Sequence, residues 1–219
     1  MCFSATASFV ASGVLGAIGV ASVRIAPSRR HLTLAAIPLI FAAQQACEGA
    51  LWMTLAHEPF HVGGTPLARA FLFFALFVWP AYVPLSLWIV ERRTVLAVFA
   101  AGGALLGAYL IGCATLRDAN ACVAFGNLYY WVQIDGPLKH AVLIVYVAFV
   151  AVPLALSSIR GTTLLAAAAV ASCVLAMWLN RAGFVSLWCF FAAALSGMVA
   201  LTILQSRRRA PRADRTASF

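Results

Sequence analysis

The sequence predicts an all-α polytopic membrane protein, a seven-transmembrane-helix bundle with its N-terminus outside and its C-terminus inside. Three observations carry that expectation. Seven stretches stay apolar over the roughly 20 residues that a helix needs to cross a hydrocarbon core of about 30 Å. A composition of 64% hydrophobic and 10% charged residues leaves too few polar groups to solvate a soluble surface. The basic residues between the stretches fall mostly on one side of the alternating loops.

The predicted spans cover residues 3–25, 33–56, 67–90, 94–114, 138–158, 161–179 and 182–205. Residues 1–205 then form one transmembrane domain, and 206–219 form a basic, disordered cytoplasmic tail with no separate soluble domain. One set of loops holds Arg24, Arg29, Arg30, Arg92, Arg93, Arg160 and the arginines of the tail. The other set holds only Arg69, Arg117, Lys139 and Arg181. The richer side is expected in the cytoplasm. The formal charge of +9 is thus explained by topology and by attraction of the tail to anionic lipid, and nucleic-acid binding is not expected.

The first span lacks the basic n-region and the cleavage site of a secretory signal, so it is expected to be retained. Cys2 stands ahead of it. Removal of the initiator Met would expose its thiol beside an amine, a metal or redox site in principle, although a small residue tolerated at a terminus is the plainer reading. Ser12 and Gly16 form a small-xxx-small pair of the kind that lets helix backbones approach.

The second span carries the one acid placed well inside the bilayer, Glu48. Charge in hydrocarbon is costly, so an intramembrane carboxylate points to function by default. Gln44, Gln45, Glu48 and Trp52 recur at i+3 and i+4 intervals and share one helix face, in the outer half of the membrane. Protonated Glu48 serving only as hydrogen-bonded glue between helices is the competing reading. At the end of this span His57, Glu58 and His61 spell HExxH, but Pro59 interrupts the unbroken helix that such a zinc site needs.

The third span carries Trp79, Pro80, Tyr82 and Pro84, and each proline removes a backbone donor, so a kink that frees carbonyls is expected. Gly103 and Gly107 make a GxxxG pair in the fourth span, which leaves a homo-oligomer open. Cys113 at the outer end of that span and Cys122 in the following loop lie on the oxidising side of this topology, where a disulfide between them is open. The fifth span begins at Lys139 and His140. Because Lys139 is the only lysine and sits at a span edge, a retinal Schiff base is not expected, and His31 and His140 face opposite sides, which argues against bis-histidine haem. The seventh span brings Ser186, Trp188 and Cys189 to the depth of Glu48, as do Ser4 and Ser8 of the first.

The opening MCFSATASF (Met1 to Phe9), with QQACEGALW (Gln44 to Trp52), WPAYVP (Trp79 to Pro84) and SLWCFFAA (Ser186 to Ala193), resembles an uncharacterised bacterial family of small multi-span membrane proteins that begin in this way. The resemblance spans nearly the whole chain and implies a bacterial source, with no activity attached. The seven-span ceramidase-like hydrolases share an outside N-terminus and an embedded polar site, but they build zinc from several intramembrane histidines that this chain lacks.

These residues support a bacterial inner-membrane protein with an outward-facing polar pocket that binds, senses or transports a small ligand or proton. Its ligand-binding residues would be Glu48, Gln44, Gln45, Trp52, Trp79, Ser4, Ser8, His140, Ser186, Trp188 and Cys189. The alternatives are a membrane-embedded hydrolase or a thiol- or metal-dependent enzyme using Glu48 with Cys2 or Cys189, and an accessory subunit of a membrane complex. No metal ligand set, catalytic residue or cofactor is assigned, and the lipid bilayer is the one partner that the composition itself requires.

Overall fold

The computed structural model describes residues 4–57, 66–116, 120–124, 127–131, 138–181 and 183–209. Cys2, the Glu58 to His61 part of the HExxH sequence, Arg117 and the tail beyond Arg209 lie outside them. Among the described residues, seven helical segments are long and apolar enough to cross a membrane. They are Ala5–Arg24, His31–Leu55, Pro66–Glu91, Thr94–Leu116, Lys139–Leu156, Thr162–Leu179 and Phe184–Arg208, within a few residues of the stretches read from hydropathy.

The first span is a single helix, α1 (Ala5–Arg24), started by Ser4, whose hydroxyl accepts from the Ala7 N–H at 3.2 Å. The second is broken into α2 (His31–Ala35) and α3 (Ile37–His57). Pro38 has no N–H to return to the preceding turn, and the helix pauses at Ala36 and restarts, leaving the proline in the first turn of α3 where its missing donor costs little.

The third span comprises α4 (Pro66–Phe73), a π-helical turn (Phe74–Val78) and α5 (Trp79–Glu91). The expected proline kink is resolved here by widening the helix upstream of Pro80. In the π turn the Trp79 N–H reaches back five residues to the Phe74 carbonyl. By the same spacing the Ala75 carbonyl would need an N–H at position 80, where proline has none. The Tyr146 hydroxyl, from another helix, donates to that carbonyl instead. A local vacancy in one helix is thus filled by a side chain 71 positions away.

The remaining spans are α6 (Thr94–Leu116), α7 (Leu138–Leu156), α8 (Thr162–Leu179) and α9 (Phe184–Arg209). Between α6 and α7 lies an antiparallel hairpin, β1 (Asn120–Ala124) and β2 (Asn127–Trp131), with Cys122 opposite Tyr129. The hairpin packs on α3 and α9, and its Tyr130 stacks on Phe71 of α4 at 4.5 Å between centroids. That seat explains why the open disulfide does not form. Cys122 is carried over α3 and α9 while Cys113 stays in α6, and both are free thiols.

In lipid the helices gain little from hydrophobic burial against one another, so close packing and interhelical hydrogen bonds must hold them. Both small-residue pairs are spent that way inside the chain. Ser12 donates to the Ala42 carbonyl at 2.8 Å, and Gly16 faces Ala42, sealing α1 on α3. A Cβ at Gly103 would fall 1.8 Å from the Pro80 carbonyl oxygen, and one at Gly107 would fall 2.8 Å from the Phe77 Cα. The GxxxG face of α6 is therefore occupied by the widened third span and is not free to pair with a second copy.

At the end of the bundle that carries Arg24, Arg92 and Arg160, Glu91 ties α5 to the turn between α7 and α8. It accepts from the Ser157 hydroxyl, the Ser158 N–H and the Ser158 hydroxyl, and it pairs with Arg93 at 3.7 Å. Arg92 ends α5 in a left-handed conformation at φ 58°, with its guanidinium 5.0 Å over the Trp88 ring. The opposite end carries the hairpin, Ser4, Lys139 and Arg181.

Candidate functional site

The polar face of α3 points into the bundle. Gln44, Gln45 and Glu48 have no exposed surface, and Trp52 is buried. Glu48 lies seven positions before Leu55, or about 10 Å below that end of the span at 1.5 Å per residue. That depth places it in the half of the bilayer nearer the hairpin.

Two side chains on this face, Glu48 and Gln44, are reached from other helices. Ser186, in the first turn of α9, donates to Glu48 Oε1 at 2.6 Å, and Gln45 Nε2 donates to Oε2 at 3.2 Å. Trp79, at the start of α5, stacks on Phe41 at 3.7 Å and donates its indole N–H to Gln44 Oε1 at 2.7 Å. The π turn bears directly on this bond, because it ends immediately before Trp79 and so sets the angle at which the indole leaves the helix. Cys189, one turn below Ser186, lies within electrostatic reach of Glu48 and beside the Gln44 amide.

The cluster is not closed upon itself. Among the described residues, Ser8 Oγ, Gln45 Oε1 and Trp52 Nε1 are buried without hydrogen-bond partners, and Gln44 Nε2 has only the Cys189 sulfur beside it. Leaving a buried donor or acceptor unmatched costs about 1–3 kcal/mol, so atoms left in this state on the helix face that carries Glu48 form a demanding environment. They offer both senses of hydrogen bond: N–H and O–H donors from Gln44, Trp52 and Ser8, and an acceptor from Gln45.

Not every residue predicted for this site joins it. Ser4 is used as the cap of α1, and His140 is exposed in the first turn of α7. Trp188 stacks on Phe184 and meets Tyr146 edge-on, both at 5.5 Å, and donates to the Ala169 carbonyl at 3.4 Å. It forms a wall beside Cys189 and makes no polar contact with Glu48 among those described. Tyr146 was missed by sequence reasoning. A tyrosine in a span otherwise free of polar groups was the available signal, but its partner carbonyl becomes visible only once the π turn is known.

Two cavities meet the cluster at Cys189, the smaller also at Trp79, and neither is lined by Gln44, Gln45 or Glu48. One of about 170 Å³ lies toward the hairpin end, with Lys139, Arg181, Val142, Phe184 and Cys189 among its lining. The other, of about 70 Å³, lies deeper between α3, α5, α7, α8 and α9 and is lined by Phe41, Val83, Val150 and Leu165 among others. Tyr146, Trp188 and Cys189 belong to both. Cys189 is thus the side chain that connects the open space to the buried carboxylate. Among the described residues no group of three histidine, cysteine or acidic side chains gathers where a metal would sit.

No curated protein and no solved structure matches the chain. A family model does match, over residues 1–216, and by that match the chain belongs to the family of unknown function DUF6629.

Proposed function

We propose that this is a bacterial inner-membrane protein that binds a small ligand in an outward-facing, membrane-embedded polar site centred on Glu48. The observation that carries the reading is the set of unmatched buried polar atoms at Gln45, Trp52 and Ser8, the first two on the helix face that carries the carboxylate. Helix-to-helix glue needs donors and acceptors that satisfy one another, as Ser12 and Ala42 do. A surplus of unmatched groups in a span is instead what a polar guest would complete. The unequal division of arginines supports an outward hairpin end, and the opening nonapeptide supports a bacterial source.

Ser8→Ala tests the reading, since it removes one unmatched polar atom and little else. With a guest in the site, the variant loses a hydrogen bond, and the purified protein in neutral-lipid nanodiscs melts at lower temperature than wild type. In an empty, dry site the same deletion removes a penalty of about 1–3 kcal/mol and raises the melting temperature. A higher melting temperature would leave Glu48 with a purely structural role.

A further inference from the structure

The two cavities that share Tyr146, Trp188 and Cys189 differ in chemistry. The larger is bounded by two cations from separate segments, Lys139 in the first turn of α7 and Arg181 just ahead of α9. Both side chains are exposed, and among the described residues neither has an ion-pair partner. The positive ends of α7 and α9 lie at the same end of the bundle and add to that potential. The smaller cavity is walled almost wholly by carbon, from residues such as Phe41, Val83, Val150 and Leu165.

A ligand that satisfies both halves needs an anion at one end and hydrocarbon at the other. A soluble anion would leave the deep cavity empty, and a neutral chain would leave the two cations at the mouth without a partner among the described residues. We propose that the two adjoining cavities together bind an anionic single-chain amphiphile. Its carboxylate or phosphate lies between Lys139 and Arg181, and its chain passes Tyr146 and Trp188 into the dry space. Arg181 offers a planar fork and Lys139 a point charge, a pairing suited to either oxyanion. The inference rests on the reading that the space beside Cys189 is open to a ligand, and it adds the ligand's chemical class. It also places the passing chain against Cys189, the neighbour of Glu48 and Gln44.

The test uses the full chain in phosphatidylcholine nanodiscs, with dodecanoate as the probe. Modification of Cys189 by methyl methanethiosulfonate, followed by peptide mapping, reads occupancy. Dodecanoate should slow the modification saturably, whereas dodecyltrimethylammonium and acetate should not. Lys139→Gln combined with Arg181→Gln should raise the dodecanoate concentration needed for half-protection by roughly tenfold or more, the effect of removing two near-surface cations. Equal protection by the cationic amphiphile, protection by acetate alone, or an unchanged half-protection in the double variant would overturn the proposal while leaving an open cavity intact. A Cys189 that stays unreactive in the unliganded protein through prolonged exposure at about pH 9, where thiolate forms more readily, while Cys113 and Cys122 react, would show the cavity closed and remove the reading beneath it.

Discussion

Gly103→Ala is the sharpest test of how the third and fourth spans meet. The new Cβ would lie 2.6 Å from the Pro80 carbonyl carbon and 1.8 Å from its oxygen, the latter about half the 3.4 Å at which ordinary contact begins. The obstacle is backbone, so no rotamer change relieves it, and α6 must withdraw from α5. Overpacking of a well-fitted contact typically costs 1–3 kcal/mol, and a clash with a main-chain carbonyl belongs at the top of that range, about 3 kcal/mol. Because Pro80 follows Trp79, the same displacement pulls on the indole bond to Gln44. Unfolding in dodecyl maltoside with rising dodecyl sulfate, read by circular dichroism, measures the loss. Gly13→Ala and Gly112→Ala are the controls, since a Cβ at either position has no other group within 4 Å. Each should be neutral or gain about 0.5–1 kcal/mol from the lower entropy of alanine in a helix. A Gly103→Ala variant as stable as those controls would refute the close approach of α6 to Pro80.

Tyr146→Phe should cost about 1–3 kcal/mol in the same assay, because it strands the Ala75 carbonyl in a place where Pro80 cannot donate. An unchanged midpoint would mean that the carbonyl finds another donor. Ser186→Ala removes the 2.6 Å donor to Glu48 and should destabilise by a similar amount, and Ser186→Thr, which keeps the hydroxyl, should recover part of the loss. Loss of the same size in both variants would point to packing alone. Cys113 and Cys122 should each take up maleimide without prior reduction, since both are free thiols. In intact cells a membrane-impermeant maleimide should reach Cys122, and a reporter fused after Arg209 should be active only on the cytoplasmic side. The opposite pattern would invert the orientation of the whole bundle.

The membrane spans were legible in the sequence because hydropathy reports the solvent around each segment directly, and seven stretches each met the length that a bilayer sets. The inward face of α3 was legible for a related reason: polar residues at i, i+3 and i+4 have one shared direction, and in lipid that direction is inward. What pairs with that face was harder. Ser186 shares a depth with Glu48 by count along the chain, but the identity of Trp79 as the Gln44 donor depends on the phase of α5, which the π turn sets. The GxxxG pair announced a close contact without naming its partner, and the partner proved to be the same chain. The disulfide went unformed because spacing along a loop says nothing of where a hairpin will dock. Lys139 and Arg181, far apart in sequence, meet at one cavity only through the packing of α7 against α9's neighbours.

The π turn also acts as a phase adjuster. An α-helix advances about 100° per residue, so one residue more or fewer in a span rotates everything on its far side by that angle. Phe74–Val78 takes up one such extra residue between α5, whose angle is fixed by Trp79 on Phe41, and α4, whose angle is fixed by Phe71 on Tyr130. Deleting a single residue there would close the turn to plain α-helix and leave Trp79 and Phe71 pointing as they do now, at the cost of the wide turn that Tyr146 serves. The seat of the hairpin is therefore kept in phase with the indole bond by an irregularity inside the bilayer, and without that slack the extra residue would swing Phe71 about 100° off Tyr130.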